Sequence, residues 1–410
     1  MEGVEIMKYI VVLADGMADY PIDKLDHKTP LEYAKTPNFD FFAANGKMGM
    51  VKTIPDTLLP GSDTANLSVL GYDPEKYYSG RSPFEAASIG IPLELTDITF
   101  RCNVVTLTEE EPYEEKVILD HSADEITTVE ATELIIAVNE HFKTKALEFY
   151  PGISYRHILV WHNAPKDYKL IPPHDILTRK ISEYLPTGGD SAVLLDMMKK
   201  SYEFLKDHPI NINRKERGLR PANSIWLWGE GHKPALSSFL EKYNTKGSII
   251  SAVDLIKGIG ICSGMNIIEV EGATGNVHTN YVGKAKAALE ELEKGQDFVY
   301  IHIEAPDECG HRAELENKVL SIELIDKEIV GTLLEGLKGQ DFKLMVLPDH
   351  PTPICLRTHT LDPVPFVIYD STKHTGKQAV FNEKSASQTG IYVEKGYKLM
   401  DTFILDEAIR

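Results

Sequence analysis

The stretch Tyr9-Ile10-Val11-Val12-Leu13-Ala14-Asp15-Gly16 decides the fold class of this chain. Its apolar run is typical of a strand that lies inside a parallel sheet and is buried on both faces. Asp15 then falls at the carboxyl end of the strand, where open α/β sheets place their functional sites. Taken alone, however, an Asp-Gly pair is most often only a turn.

Two later apolar runs, over 298–303 and 342–347, predict strands that end in a similar way. Carboxylate and imidazole side chains follow each run: Asp307 and His311 after the first, and Asp349, His350 and the more distant His359 after the second. Because the carboxyl ends of parallel strands meet at one edge of a sheet, we expect these side chains to converge near Asp15.

The alternation of strands and helices is interrupted in the middle of the chain. Residues 1–98 and 222–410 predict an α/β core, with a mostly parallel sheet and helices on both faces. Residues 99–221 instead combine short, half-exposed strands with helices over 128–141 and 192–206, which predicts an inserted α+β domain. A chain of 410 residues is long enough for both domains.

A further candidate element is Pro60-Gly61-Ser62-Asp63-Thr64-Ala65-Asn66. The residues that follow predict a short buried helix ending near Gly71, with Ser62 at its N-terminus. The free N–H groups and the dipole at a helix N-terminus favour an anion. Ser62 is therefore either a helix N-cap or a nucleophile beside a phosphate, and a serine nucleophile needs an activating group.

The charge balance excludes several classes of partner. A formal net charge of −19 argues against nonspecific binding to nucleic acid and to an anionic membrane surface. An anionic substrate would therefore need a local cluster of cations. The four cysteines form no Cys-x-x-Cys pair, and no apolar run approaches the length of a membrane span. We expect a cytoplasmic protein in a reducing compartment.

The converging side chains predict a site for two divalent cations. They offer oxygen and nitrogen ligands without a thiolate, which suits hard or borderline ions. Two such ions about 3.5–4 Å apart stabilise an in-line phosphoryl displacement. A cation bound to the Ser62 hydroxyl would also lower its pKa and activate it as a nucleophile. The predicted ligand residues are Asp15, Asp307, His311, Asp349, His350 and His359.

These motifs resemble the metal-site pattern of the alkaline phosphatase superfamily. Within that superfamily, the chain is most similar to the cofactor-independent phosphoglycerate mutases of the shorter, archaeal-type branch. The supporting stretches are Ala14–Asp19, Pro60–Asn66, Gly272–Gly275, Asp307–His311, Asp349-His350 and His359–Pro365. The likeness covers nearly the whole chain.

The resemblance implies an alkaline-phosphatase-like core and a specific division of the ligands. One cation would be held by Asp15, Ser62, Asp349 and His350, and the other by Asp307, His311 and His359. The family usually uses manganese, although these ligands would also accept zinc or magnesium.

The resemblance also implies that residues 99–221 form a cap that closes over the substrate. Surface charge stays an alternative interpretation for the cationic side chains, and a buried structural role stays an alternative for the histidine. The candidate substrate-binding residues are Arg156, His157, Arg214, Arg217, Lys257 and Asn66.

The implied activity is the interconversion of 3-phosphoglycerate and 2-phosphoglycerate through a phosphoserine at Ser62. The partner would be a small phosphorylated metabolite, with no nucleic acid and no membrane, and a homo-oligomer is compatible with the sequence. One alternative is a metal-dependent phosphatase, phosphotransferase or mutase of the same superfamily that acts on another phosphorylated metabolite. A non-catalytic binding protein with this fold is a further alternative.

Overall fold

The computed structural model of the chain describes residues 7–373 and 376–409. The described chain divides into two compact units. The first unit runs to Tyr78 and resumes at Leu236, and the second spans Ser79–Ala235. Among the helices of these residues, none combines the length and the apolar character needed to cross a membrane.

The strands and helices of both units are numbered in chain order. The strands are β1 (Lys8–Ala14), β2 (Lys47–Val51), β3 (Asp97–Leu107), β4 (Ile118–Asp120), β5 (Leu147–Tyr150), β6 (Arg156–His162), β7 (Tyr168–Lys169), β8 (Thr187–Gly188), β9 (Ser224–His232), β10 (Gly247–Ile250), β11 (Asn266–Ile268), β12 (Phe298–Ile303), β13 (Phe342–Leu347), β14 (Val364–Asp370) and β15 (Tyr392–Val393). The helices are α1 (Pro30–Tyr33), α2 (Pro37–Asn45), α3 (Ser62–Val69), α4 (Pro74–Tyr77), α5 (Ser82–Ser88), α6 (Thr128–Phe142), α7 (Ser191–Leu205), α8 (Pro209–Glu216), α9 (Phe239–Tyr243), α10 (Asp254–Cys262), α11 (Tyr281–Glu293), α12 (Ala305–Arg312), α13 (Leu315–Leu324), α14 (Gly331–Gly336), α15 (Glu383–Gln388) and α16 (Lys398–Leu405).

The first unit is built on an eight-stranded sheet in the order β11-β10-β12-β1-β13-β14-β2-β15. The strands from β11 to β13 are parallel to one another. Strand β14 runs antiparallel to both of its neighbours, and β15 is parallel to β2. The mostly parallel sheet predicted from the sequence is thus confirmed, and its central strand is the β1 run that begins at Lys8.

Helices cover both faces of this sheet because alternate side chains of β1 point to opposite sides. Ile10 and Val12 belong to a buried cluster that includes apolar residues of α2, α11 and α13. On the opposite face, Tyr9 meets Phe403 of α16 edge to face, with ring centroids 5.6 Å apart. Burying a large apolar side chain of this kind contributes roughly 1.5–3 kcal/mol.

The second half of the core carries one helical irregularity. The apolar spacing predicts a single helix over 317–337, whereas the structure joins α13 to α14 through a wide π-helical turn, Ile325–Val330. The buried Asp326 lies in this turn and accepts hydrogen bonds from the backbone N–H groups of Asn38 and Phe39, at 3.3 and 2.7 Å. The turn therefore fixes the start of α2.

The second unit contains a five-stranded sheet in which β3 pairs with β6, β9 and, at its end, β4. Helices α6 and α7 contribute to a separate apolar cluster against this sheet. The sequence predicts a half-exposed strand here, and that prediction is wrong. All eleven residues of β3 are buried, because both faces of the strand are covered: Phe100 and Val104 lie in the apolar cluster, and Thr99 on the other face contacts Ser82 of α5.

The limits of this unit differ from the predicted insert at 99–221. Ser79–Ala235 also contains α5, the start of β3 and the end of β9. The difference follows from strand pairing, since β3 and β9 are partners from Ile98 to Val105. The predicted limit at residue 98/99 falls inside β3.

Candidate active site

Three neighbouring strands deliver the predicted ligands to one edge of the sheet. In the register of the sheet, Ala14 of β1 lies opposite Ile303 of β12, and Leu13 lies opposite Leu347 of β13. The ends of the three strands are therefore level. Asp15 follows β1 directly, and the other ligands come from α12 and from the segment after β13.

The first group of side chains comprises Asp15, Asp349 and His350, whose candidate ligand atoms all lie within 4.8 Å of one another. All three residues are buried. The Nε2 atom of His350 lies 3.6 Å from Asp15 Oδ1 and 3.5 Å from Asp349 Oδ2. The same nitrogen is 3.1 Å from Ser62 Oγ. Ser62 therefore stands beside this group, although nearly 290 residues separate it from His350 along the chain.

The second group comprises Asp307, His311 and His359. His311 Nε2 and His359 Nε2 lie 3.2 and 3.4 Å from the carboxylate oxygens of Asp307. The two imidazole nitrogens are only 2.9 Å apart, so at most one of them carries the proton between them. The rings of His350 and His359, with centroids 4.0 Å apart, bring the two groups next to each other.

The electrostatics of the first group fit a cation. Burial, together with the neighbouring carboxylates Asp349 and Asp307, raises the pKa of Asp15 well above its ordinary value. Asp15 Oδ1 is buried and has no hydrogen-bond partner among the described residues. A buried carboxylate oxygen without a donor is costly, and a divalent cation would satisfy it.

Within the second group, the histidines and Asp307 favour opposite charges. A hydrogen bond to Asp307 raises the pKa of His311 to about 9. Burial opposes ionisation of Asp307, but the hydrogen bonds from His311 and His359 hold its pKa well below the ordinary value. A carboxylate and two imidazoles form an oxygen and nitrogen donor set that suits Mn²⁺, Zn²⁺ or Mg²⁺.

Ser62 is the first residue of α3, and Gly61 occupies the N-cap position. The Ser62 hydroxyl makes no capping hydrogen bond to the backbone, so the N-cap interpretation of this serine is wrong. The backbone of α3 is fixed instead by Thr64, whose hydroxyl donates to Gly61 O at 2.9 Å. The first N–H groups of a helix have no partner within the helix and favour an anion, although here the Thr64 N–H donates to Asp63 Oδ1 at 2.8 Å.

Asn66 connects the nucleophile helix to the first group of ligands. Its amide donates to Ser62 O at 2.8 Å and to Asp349 Oδ2 at 2.9 Å, while its own oxygen accepts a 2.6 Å hydrogen bond from Tyr300 OH. Asn66 is fully buried. Asn66 therefore orients Asp349, and its predicted contact with the substrate stays a prediction.

Two further side chains, of His302 and Thr352, support the ligands directly. His302 Nε2 lies 2.9 Å from Asp15 Oδ2, and the hydroxyl of Thr352 donates to Asp307 Oδ1. Burial lowers the pKa of His302 to about 3, so the ring is neutral and can donate to Asp15. In the sequence, His302 is indicated by its position as a histidine within the otherwise apolar β12 run. No sequence pattern points to Thr352.

The predicted cap residues have mixed outcomes. Arg214 is buried and its guanidinium is held by Glu130, at 2.7 Å, and by the carbonyl of Arg220, at 3.0 Å. Arg217 contacts the other oxygen of Glu130 at 2.8 Å. Both arginines thus brace α6 against α8, and their role in substrate binding stays a prediction.

The other three cationic candidates are placed differently. His157 is buried in β6, where its Nδ1 accepts a 3.0 Å hydrogen bond from Gly152 N. Burial lowers the pKa of His157 to about 3, so the ring is neutral. Its Nε2 atom is buried and has no hydrogen-bond partner among the described residues, and a contact of His157 with substrate stays a prediction. Lys257 of α10 pairs with Glu269 at 2.7 Å. Arg156 is exposed and lies over the ring of Tyr155.

Arginine side chains gather around Glu85 in the second unit. Glu85 Oε1 lies 2.7 Å from Arg81 Nε, and Glu85 Oε2 lies 3.0 Å from Arg101 Nε. Arg156 adds a third positive charge that acts on both Glu85 and Arg101. We call this set the Glu85 cluster.

Comparison with known proteins gives a consistent result. Residues 43–211 match the family model described as 2,3-bisphosphoglycerate-independent phosphoglycerate mutase. A protein of that name from Methanosarcina barkeri is 49% identical over 97% of this chain and 99% of its own length. A relative from Geobacter sulfurreducens, named as a probable enzyme of the same kind, is 47% identical over 97% of this chain and 100% of its own.

Solved structures agree with these relatives. A Pyrococcus horikoshii protein is similar with a TM-score of 0.82 and 30% identity, covering 99% of each chain. The cofactor-independent phosphoglycerate mutase of Thermoplasma acidophilum has a TM-score of 0.68 and 26% identity, covering 98% of this chain and 100% of its own. The chain therefore belongs to the family of 2,3-bisphosphoglycerate-independent phosphoglycerate mutases.

Proposed function

We propose that this chain interconverts 3-phosphoglycerate and 2-phosphoglycerate through a phosphoserine formed on Ser62. The family supplies the reaction, since the relatives that match nearly the whole chain carry the name of this enzyme. The single observation that carries the mechanism is the position of Ser62 Oγ, 3.1 Å from His350 Nε2 at the start of α3.

Two divalent cations are part of this proposal. Asp15, Ser62, Asp349 and His350 would hold one, and Asp307, His311 and His359 would hold the other. Such cations, when bound, lower the pKa of a coordinated hydroxyl and neutralise charge on the transferring phosphoryl group. The orphaned Asp15 Oδ1 and the thiolate-free donor set support this assignment. Manganese stays a prediction from the resemblance.

The chain's own residues account for the remaining requirements. Ser62 Oγ forms a bond to phosphorus while the bond from phosphorus to the 3-oxygen of the substrate breaks, and that oxygen takes up the proton released by Ser62. In the second half, the 2-hydroxyl displaces Ser62 Oγ from phosphorus and returns a proton to it. The N–H groups at the start of α3 stabilise the phosphoserine. The hydrogen bonds of Asn66 fix the position of Ser62 relative to Asp349.

The second unit contains a local group of positive charges, Arg81, Arg101 and Arg156. Among the residues predicted from the sequence, Arg156 keeps its proposed role, because it is exposed and belongs to the Glu85 cluster. A role for Lys257, closure of the second unit as a cap, a cytoplasmic location and a homo-oligomer stay predictions.

The test uses the manganese-loaded full-length protein. It should convert 3-phosphoglycerate to 2-phosphoglycerate without accumulating free phosphate, and intact-mass measurement should detect a phosphorylated chain. Ser62→Ala should reduce isomerisation on the order of 10³-fold or more and abolish the phosphorylated species. Ser387→Ala, which alters an exposed helical hydroxyl of the same unit, is the matched control.

Two results would contradict the proposal. Release of phosphate without 2-phosphoglycerate would assign the site to a phosphatase of the same superfamily. Isomerisation that survives in Ser62→Ala would exclude the phosphoserine route.

A further inference from the structure

Lys318 is a fully buried lysine on α13, the helix that follows α12 in the first unit. Its ammonium group donates to Asp19 Oδ2 at 2.8 Å and to Thr352 O at 2.9 Å, with a longer contact of 3.4 Å to Ala18 O. A buried ammonium group is costly unless it is paired and hydrogen-bonded, and these three acceptors meet that cost. Lys318 therefore joins the segments that follow β1 and β13, the two strands that lead to the first group of ligands.

Asp19 extends this connection along the segment after β13. Its two carboxylate oxygens lie 3.3 and 3.1 Å from Ile354 N, and one of them also accepts from Tyr20 N at 2.7 Å. The side chains of Lys318 and Asp19 are 0% and 1% exposed. Because this buried ion pair also binds the backbone, it holds the two segments in one arrangement.

Thr352 is the residue through which Lys318 reaches the candidate ligands. Its carbonyl accepts from Lys318, its N–H donates to Ala18 O at 3.2 Å, and its hydroxyl donates to Asp307 Oδ1. The same hydroxyl oxygen lies 3.3 Å from His350 Nδ1. One fully buried hydroxyl thus contacts a ligand from each of the two groups.

The direction of these hydrogen bonds suits cation binding at both groups. A histidine that binds a cation through Nε2 carries its proton on Nδ1 and donates it to a neighbouring acceptor. The single proton of the Thr352 hydroxyl goes to Asp307, so the hydroxyl oxygen accepts from His350 Nδ1–H. Thr352 therefore orients the His350 ring so that Nε2 faces Ser62 and the first group.

Backbone on two sides confines Thr352. A β-carbon added at Gly16 would lie 2.6 Å from Thr352 Oγ1, and a β-carbon added at Gly310 would lie 2.5 Å from Thr352 O. Only glycine permits so close an approach of the backbone. Since the carbonyl and the hydroxyl belong to one confined residue, a shift of the carbonyl would also move the hydroxyl.

We propose that Lys318 is a positioning residue for both cations and that it acts through Thr352. The ammonium group holds Thr352 O, and the Thr352 hydroxyl then orients Asp307 and His350 together. This inference rests on the two cation sites of the proposed function. A lysine that only stabilised the fold would instead affect cation affinity, if at all, independently of the Thr352 hydroxyl.

The experiment measures Mn²⁺ binding by calorimetry to the full-length protein after treatment with a chelator. Thr352→Val removes the hydroxyl and should lower the affinity for Mn²⁺ about ten-fold. Thr352→Ser keeps the hydroxyl and should keep the affinity of the unaltered chain. Lys318→Met alone would leave Asp19 as an unpaired buried charge, so it is combined with Asp19→Asn. This double variant should also lower the affinity about ten-fold.

A variant with all three changes, at Asp19, Lys318 and Thr352, decides whether the lysine acts through the threonine. If it does, this variant should lose no more affinity than Thr352→Val alone, because the shared pathway is already broken. Independent effects would multiply to about a hundred-fold loss and would overturn the inference. An unchanged affinity in Thr352→Val, or in the double variant, would overturn it as well.

Lys343→Met combined with Asp406→Asn is the matched control. It removes another buried lysine and its carboxylate partner, which lie 2.7 Å apart in the same unit, near the start of β13. The control should lower Tm but leave the affinity for Mn²⁺ unchanged. Absence of Mn²⁺ binding to the unaltered chain would overturn the two cation sites and this inference with them, whereas binding with multiplicative losses would overturn this inference alone.

Discussion

Asn66 is a small side chain whose three partners belong to three different parts of the candidate site. It binds the backbone of the nucleophile, a predicted metal ligand and a tyrosine of β12. Burial and the nearby Asp349 and Asp15 raise the pKa of Tyr300, so its hydroxyl stays protonated and donates. Because the tyrosine donates to the Asn66 oxygen, the amide nitrogen must face Ser62 and Asp349.

This arrangement predicts the effect of Tyr300→Phe. Loss of the hydroxyl leaves the Asn66 oxygen without its donor and lets Asp349 move. We expect the affinity for Mn²⁺ to fall about ten-fold, as is usual when a partner of a metal ligand is removed. Metal titration followed by calorimetry measures the effect independently of activity.

Tyr72→Phe is the control for that change, because its hydroxyl donates to Ser237 O at 2.8 Å, and both residues lie outside the two groups of ligands. Its Mn²⁺ affinity should match that of the unaltered chain. Equal affinities in Tyr300→Phe and the unaltered chain would show that Asn66 is oriented without the tyrosine.

At the scale of elements, the π-helical turn between α13 and α14 holds the start of α2. Asp326 in this turn accepts from Asn38 Nδ2 at 3.0 Å as well as from the two backbone N–H groups of α2. A side chain that satisfies the first N–H groups of another helix acts as a capping residue from a distance. The wide turn is thus tied to a tertiary contact, in agreement with the tendency of π-turns to mark specialised positions.

Asp326→Ala is therefore expected to destabilise the chain. The substitution leaves buried donors unsatisfied and creates a small cavity, which together should cost about 2–4 kcal/mol. Calorimetric unfolding should show a clearly lower Tm. Asp23→Ala is the control, because this side chain is 92% exposed and its removal should change stability by less than about 0.5 kcal/mol. A Tm equal to that of the control would contradict the capping role.

At the scale of the whole molecule, a strongly acidic chain gathers three carboxylates at one edge of its central sheet. Asp15, Asp307 and Asp349 are all buried, and two of them raise the pKa of the third. Folding brings these like charges together, and no compensating lysine or arginine is paired with them among the described ion pairs. Divalent cations would relieve the repulsion.

Metal binding should therefore be linked to stability. After treatment with a chelator, Tm should fall, and addition of Mn²⁺ at about 100 times its Kd should restore about 2.7 kcal/mol per site. Potassium chloride at equal ionic strength controls for general screening. A Tm that does not respond to Mn²⁺, or responds equally to potassium chloride, would exclude a metal site of useful affinity.

The central strands and the two groups of candidate ligands can be predicted from local patterns in the sequence. Apolar runs predict β1, β12 and β13, and the rule that parallel strands end at one edge predicts that the residues after them converge. Asp307 and His311 are four residues apart on α12, so a helical backbone alone places them on the same face. The two groups of candidate ligands were predictable for these reasons.

The tertiary structure alone decided the contacts that lie far apart along the chain. Tyr300 and Asn66 are separated by 234 residues, and their hydrogen bond exists only because α3 packs near β12. Arg101 lies within β3, and it meets Glu85 only because α5, which carries Glu85, packs near this strand. Periodicity determines which face a side chain occupies, whereas the partner that it meets depends on how the elements pack, and that information is distributed over the whole chain.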